Sequence, residues 1–137
     1  MEIQQLTSGQ YATVYNLISL AIASLFFTGL YLIISQKRVL PRYRNALVVS
    51  ATVCFIATYH YVRIFDNFKE SYDSSAQGGQ GVYNLTNIAF NEGYRYVDWF
   101  LTVPLLLVET IAVLALTRAA AKPLLTKLVI ASGLMIA

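Results

Sequence analysis

Charged residues are scarce in this sequence of 137 residues. Lysine, arginine, aspartate and glutamate together make up 12% of the chain, whereas hydrophobic residues make up 57%. An ordinary soluble domain carries about one-quarter charged residues. The balance excludes a typical soluble domain and predicts a membrane protein.

Cysteine is nearly absent as well. The single Cys54 lies within an apolar run, so the sequence has neither a disulfide framework nor a cysteine-based metal site. We interpret it as a buried free thiol. The first ten residues lack the basic segment and the small-residue cleavage site of a signal peptide, so we expect the first apolar segment to remain in the mature protein.

The basic residues cluster in two short connections and do not form a nucleic-acid-binding face. They are Lys37, Arg38, Arg42 and Arg44 in one connection, and Arg118 and Lys122 in the other. Connections rich in lysine and arginine stay in the cytoplasm. We therefore predict a multi-pass protein of the cell membrane, surrounded by lipid, with its N-terminus outside and no nucleic-acid partner.

Four apolar stretches predict an all-α membrane protein. A bilayer-spanning helix needs ~20 residues. The predicted elements are helix A over about 15–35, helix B over about 45–66, an outer loop over 67–93 with a short hairpin in 82–89, helix C over about 94–117 and the start of helix D over about 123–137. The fourth stretch has no polar flank after it, so we expect these residues to be part of a longer protein.

Helix C contains three ionisable side chains, those of Arg95, Asp98 and Glu109. Each would cost several kcal/mol if it were exposed to lipid. At ~100° per residue, the positions relative to Asp98 are ~20° for Glu109, ~40° for Thr102 and ~60° for Arg95. All four residues therefore share one face of the helix, and we expect that face to point into the protein.

Asp98 and Glu109 lie at different depths on that face. Eleven residues at ~1.5 Å each separate them by ~16 Å, about half of a ~30 Å hydrocarbon core. Arg95, one turn from Asp98, favours an ionised Asp98, whereas the apolar neighbours of Glu109 favour its neutral form. An anionic acceptor near the outside and a neutral donor near the cytoplasm predict a transmembrane proton relay.

A simpler interpretation is that Arg95 and Asp98 form a structural ion pair, but it leaves Glu109 unexplained. His60, the single histidine, lies in helix B at a depth close to that of Asp98. A lone histidine is usually a satisfied interior residue. Beside an intramembrane aspartate, we predict that it tunes the charge of Asp98 through a hydrogen bond.

The run Arg-Tyr-Val-Asp-Trp-Phe-Leu-Thr-Val-Pro-Leu-Leu-Leu-Val-Glu, from Arg95 to Glu109, resembles the helix C signature of the microbial rhodopsins. These are seven-helix, retinal-binding membrane proteins, and the resemblance covers helices A to D. The combination of Asp98, Thr102 and Glu109 looks like that of the proteorhodopsin and xanthorhodopsin proton pumps. His60 also fits those pumps, in which a histidine of helix B partners the aspartate.

The resemblance implies a role for each residue of this face. Asp98 would be the counterion and proton acceptor of a retinal Schiff base, and Glu109 the cytoplasmic proton donor. Thr102 would hydrogen-bond in the region of Asp98, and Arg95 would gate proton release on the outer side.

The resemblance also implies a retinal pocket. Trp99 would pack against the retinal chain, Leu106 occupies the colour-tuning position with a residue that goes with green absorption, and Met135 would line the pocket. The family binds retinal through a lysine of the seventh helix. The four lysines here, Lys37, Lys69, Lys122 and Lys127, are expected in loops or at helix ends, so the retinal lysine should lie outside this sequence. By the same resemblance we expect a homo-oligomer, trimer or pentamer, and xanthorhodopsin-like relatives add a carotenoid antenna.

The leading hypothesis is thus a light-driven outward proton pump that is not an enzyme. A sensory rhodopsin or a light-gated channel on the same fold is one alternative, although Glu109 argues against a sensor. Another is a non-photoactive four-helix subunit that relays protons for a larger complex.

Overall fold

Four long helices and a small β-sheet form the structure, a computed structural model that describes residues 5–74, 81–114 and 116–136. The helices are α1 (Ser8–Ser35), α2 (Arg44–Ser71), α3 (Gly93–Leu114) and α4 (Arg118–Ile136), and the strands are β1 (Gln5–Thr7), β2 (Tyr72–Asp73) and β3 (Val82–Leu85). Within the described residues, four helices are long and apolar enough to cross a membrane. The predicted all-α membrane fold is confirmed.

Helix α1 begins at Ser8, earlier than the predicted start near residue 15. A capping box explains the difference. The Thr7 hydroxyl accepts a hydrogen bond from the Gln10 backbone N–H at 3.3 Å, and the Gln10 side chain accepts one from the Thr7 N–H at 3.0 Å. Such reciprocal bonds satisfy backbone donors that the first turn of a helix leaves unpaired, so the polar residues before the apolar run are helical.

Helix α2 ends at Ser71, beyond the predicted end near residue 66. Its last turns carry an ion pair between Lys69 Nζ and Asp66 Oδ1 at 2.8 Å, the i,i+3 spacing that stabilises a helix surface. The first charged residues therefore mark the edge of the apolar span and not the end of the helix.

Helix α3 ends at Leu114, earlier than the predicted 117, and α4 begins at Arg118, earlier than the predicted 123. The carbonyl of Thr117 accepts bonds from the N–H groups of Ala120 and Ala121 at 3.0 and 2.9 Å, which closes the first turn. Alanine is the best helix former, and the helix starts in this alanine-rich run. Pro123 lies inside α4 and does not open it.

The three strands pair in the order β1-β3-β2, with antiparallel neighbours. Leu6 is opposite Tyr83, and Tyr72 is opposite Leu85. The predicted hairpin within 82–89 is therefore wrong. Strand β3 is the central strand and pairs with β1 and β2, whereas a hairpin would pair it with the residues that follow it in sequence. Gly81 precedes β3 with a φ of 96°, a conformation that favours glycine, and its carbonyl accepts a bond from the Ser8 N–H at 2.9 Å.

Successive helices pack against each other, α1 on α2, α2 on α3 and α3 on α4. We call the end that bears the β-sheet the sheet end, and the end that bears the connection 36–44 the basic end. An aromatic cluster closes the sheet end, where the Tyr11 ring stacks on Tyr83 at 3.9 Å and on Phe68 at 5.0 Å. Farther along α1, a Cβ on Gly29 would lie 3.0 Å from the Phe55 ring, so glycine is what lets α1 approach α2 there.

Candidate functional site

Asp98 and Thr102 lie on the buried face of α3, together with Ile111. Their spacing of one helical turn brings them together, and the Thr102 hydroxyl donates a hydrogen bond to the Asp98 backbone carbonyl at 2.9 Å. Thr102 is thus bonded to the backbone of Asp98. Its hydroxyl proton is engaged there, which leaves the carboxylate open to other partners.

His60 of α2 lies within electrostatic reach of Asp98. Each residue is only 7% exposed, and the rings of Tyr59 and His60 meet edge to face at 5.3 Å. His60 Nδ1 and Asp98 Oδ1 have no hydrogen-bond partner within the described part of the chain. The two side chains therefore lie within electrostatic reach of each other, while these two atoms are unpaired, and the predicted hydrogen bond stays a prediction.

Buried polar atoms without a hydrogen-bond partner are uncommon in folded proteins. Leaving a buried donor or acceptor without a partner costs about 1–3 kcal/mol, and each such group in a folded protein calls for an explanation. A site that exchanges a proton, or that binds a further polar group, would explain the unsatisfied atoms. The buried carboxyl of Asp98 and the imidazole of His60 thus offer two unpaired polar atoms, Oδ1 and Nδ1, to such a group.

Arg95 does not pair with Asp98 among the residues that the structure describes. Its Nη2 lies 3.9 Å from Glu92 Oε1, and both side chains are at least half exposed. Arg95 also lines a cavity of about 340 Å³ whose other walls are largely apolar and include Tyr61 and Phe90. The structural ion pair between Arg95 and Asp98 is therefore not what the structure shows, and the guanidinium lies toward the sheet end.

Glu109 is half-buried near the other end of α3. Cys54 of α2 lies within electrostatic reach of it, and this thiol is half-buried and not fully buried as predicted. Sequence reasoning missed this neighbour. Counting residues backwards from His60 along α2 would have placed Cys54 at a depth between Asp98 and Glu109, because α2 and α3 are antiparallel.

The residues predicted to line a retinal pocket stand on the open side of α3 and α4. Trp99 and Leu106 are nearly half exposed, and Met135 is 73% exposed. The Trp99 ring meets that of Tyr96 at 5.8 Å. These large apolar side chains form a wide surface that no other described residue covers.

The four lysines are all exposed. Lys37 lies in a 3₁₀ turn and Lys69 in the last turn of α2, as expected. Lys127 and Lys122 lie within α4, so the expectation that every lysine belongs to a loop or a helix end is wrong for Lys127. Both lysines are helical because α4 starts before Pro123. The described residues contain no cluster of histidine, cysteine, aspartate or glutamate that could hold a metal ion.

Comparison with curated proteins finds light-absorbing relatives. The chain is 30% identical over 117 residues to the green-light absorbing proteorhodopsin of Gamma-proteobacterium EBAC31A08, an alignment that covers 85% of this chain and 41% of the relative. A blue-light absorbing proteorhodopsin of Gamma-proteobacterium Hot 75m4 is 26% identical over 117 residues, covering 85% of this chain and 40% of the relative. The chain therefore spans less than half of these relatives.

Comparison with solved structures gives the same result. Xanthorhodopsin, described as a light-driven ion pump with dual chromophore, superimposes with a TM-score of 0.89 and 41% identity, covering 98% of this chain and 52% of that one. A thermophilic rhodopsin superimposes with a TM-score of 0.90 and 45% identity over the same shares. The arrangement of the four helices is thus that of known rhodopsins over nearly the whole chain.

The family model for bacteriorhodopsin-like proteins matches residues 12–137. This match includes the helix C signature and all four helices. The resemblance seen in the run from Arg95 to Glu109 is confirmed, and the chain belongs to the bacteriorhodopsin-like family, the microbial rhodopsins.

Proposed function

We propose that the protein containing this chain is a light-driven outward proton pump that uses retinal. The observation that carries the proposal is the pair of carboxyl groups on α3, with Asp98 buried within electrostatic reach of His60 and Glu109 about 16 Å farther along the helix. A curated relative is named for green-light absorption and a structural neighbour for light-driven ion pumping. Both names support the same class of function.

The residues present fit retinal. Its polyene is apolar, as are the open-sided Trp99, Leu106 and Met135, which would hold it. Its polar end would face the unsatisfied atoms of Asp98 and His60. Retinal would supply the absorption of light, and the family attaches it through a lysine, which we place outside these 137 residues because the chain covers only 52% of its structural neighbours.

Asp98 takes up the proton in this proposal. Its Oδ1 is buried, has no hydrogen-bond partner among the described residues and is therefore free to be protonated. His60, held against Tyr59, stabilises the charge of the carboxylate before the proton arrives. Thr102 fixes the local backbone through its bond to the Asp98 carbonyl.

Glu109 restores the proton from the basic end. Its carboxyl is half-buried in an apolar stretch and can pass a proton inward as a positioned general acid. At the opposite end Arg95, paired with Glu92 beside the cavity, attracts negative charge and promotes release of the proton to the outside. The resulting direction is from the basic end to the sheet end.

The proposal includes the orientation of the protein in the membrane and its oligomeric state. The bases of the connection 36–44 face the cytoplasm, so the sheet end and the N-terminus face outward. We expect green absorption with Leu106 at the tuning position, and a homo-oligomer. A carotenoid antenna would require parts of the protein other than these four helices.

The experiment is light-driven acidification by cells that express the whole protein and are supplied with retinal. Illumination should lower the pH of the medium, and a protonophore should abolish the change. A current that reverses with membrane voltage would instead indicate a channel. A purified protein that gains no visible absorption band on addition of retinal would refute the photoactive function altogether.

A further inference from the structure

The connection between α1 and α2 holds four exposed bases and no acid. They are Lys37, Arg38, Arg42 and Arg44. The sequence has no aspartate or glutamate between residues 3 and 65, so no acid of α1 or of the first half of α2 can neutralise them. This end of the helix pair is positively charged.

The structure gives none of these bases a carboxylate partner within the part of the chain it describes. The ion pairs there are Lys69 with Asp66 and Arg95 with Glu92, both at the sheet end. The contacts of the connection are of other kinds. Arg44 Nε donates to the Val39 carbonyl at 3.3 Å, and the Arg42 guanidinium lies 4.4 Å from the centre of the Tyr43 ring. The four cations are thus available to an anion from outside the chain.

Three of the bases lie in two 3₁₀ turns, Gln36–Arg38 and Pro41–Tyr43, and Arg44 follows directly at the start of α2. Leu40 lies between the turns with 62% of its surface exposed, and Ile34 in the last turn of α1 is also exposed. Apolar side chains thus stand next to a concentration of positive charge. Such a combination is typical of segments that rest on an anionic membrane surface.

We propose that residues 36–44 bind the phosphate headgroup of an anionic phospholipid. Charge complementarity identifies the ligand, since arginine and lysine are the side chains that bind phosphate oxygens. Position identifies its source: α1 and α2 are both of membrane-spanning length, so the connection between them lies at the level of the headgroups. Leu40 would insert beside the acyl chains of the bound lipid.

The test compares lipid retention by the whole protein in bilayer discs that contain equal amounts of phosphatidylglycerol and phosphatidylcholine. After extraction, mass spectrometry gives the ratio of the two lipids that remain bound. The unmodified protein should retain mostly phosphatidylglycerol, and this preference should weaken at high salt. Each base near a membrane surface contributes about 1 kcal/mol, so Lys37→Gln/Arg38→Gln should lower the preference about fivefold per base.

The matched control is Arg63→Gln/Lys69→Gln, which removes the same charge from exposed positions toward the sheet end. This variant should keep the preference of the unmodified protein. Equal loss in both double variants, or no loss in Lys37→Gln/Arg38→Gln, would overturn the proposal. So would displacement of phosphatidylglycerol by millimolar inorganic phosphate, because the site would then bind free anions. The assay runs in the dark, so its outcome is independent of proton pumping.

Discussion

His60 and Asp98 lie within electrostatic reach of each other across the contact of α2 and α3, both almost fully buried and each with one unsatisfied polar atom. The two residues come from different helices and are separated by a long loop in sequence. Their meeting is therefore a product of the antiparallel packing of α2 on α3.

Replacing Asp98 by asparagine should abolish light-driven acidification, because an amide cannot serve as the proton acceptor that we propose Asp98 to be. The change keeps the size of the side chain, so the fold should tolerate it. The matched control is Asp66→Asn, which removes a carboxylate from an exposed surface pair. Pumping at the normal rate by the Asp98→Asn protein would show that the acceptor has been misassigned.

Replacing Glu109 by glutamine should slow the recovery of the resting absorption after a flash. Proton transfer by a positioned side chain contributes typically 10²–10⁴-fold in rate, so we expect a delay of at least tenfold. Time-resolved visible spectroscopy measures it. Glu70→Gln, which changes an exposed glutamate at the sheet end, should leave the recovery within about a factor of two of normal, and a Glu109→Gln protein with unchanged recovery would count against the donor role.

His60 offers a comparison of two substitutions. His60→Gln keeps a hydrogen-bonding group beside Asp98, whereas His60→Phe leaves the buried carboxyl with an apolar neighbour. Burial of a carboxylate without a polar partner is unfavourable. We therefore expect His60→Phe to reduce pumping and to shift the visible band more than His60→Gln does. Equal spectra and equal pumping for both proteins would mean that His60 only fills space.

Gly29 tests the contact between α1 and α2. An alanine Cβ would lie 3.0 Å from the Phe55 ring, so Gly29→Ala should destabilise the protein by about 1–3 kcal/mol, the usual cost of overpacking. Thermal loss of the visible band measures this. Gly9→Ala is the control, since nothing lies within 4 Å of its Cβ, and Gly29→Ala/Phe55→Leu should restore part of the lost stability. A Gly29→Ala protein as stable as the unmodified one would show that the helices can separate without penalty.

The buried face of α3 could be predicted from sequence because its signals are local. Charged residues are costly in lipid, so Asp98 and Glu109 had to have a protein or water environment, and a spacing of eleven residues placed them on one face. The neighbourhood of His60 and Asp98 followed from counting depth in two antiparallel helices. The family signature added the roles of these residues, which remain proposals.

The β-sheet could not be predicted in this way. Strand β1 pairs with β3 across most of the first two helices, and such long-range pairing leaves no pattern in either segment. Each strand is also only two to four residues long, too short for a clear alternation of apolar and polar residues. Pro123 was misread for a different reason: proline favours the first turn of a helix, but neighbouring helices in a membrane protein tolerate it farther in.

The sheet at one end of the bundle also constrains the order of biosynthesis. Strand β1 is made before α1, yet its partner β3 is made only after α2 and part of the following loop. The first strand must therefore wait, unpaired, until two helices have been inserted and the loop has reached the same side of the membrane. Closure of the sheet then joins the start of the chain to the segment that leads into α3, the helix that carries Asp98 and Glu109.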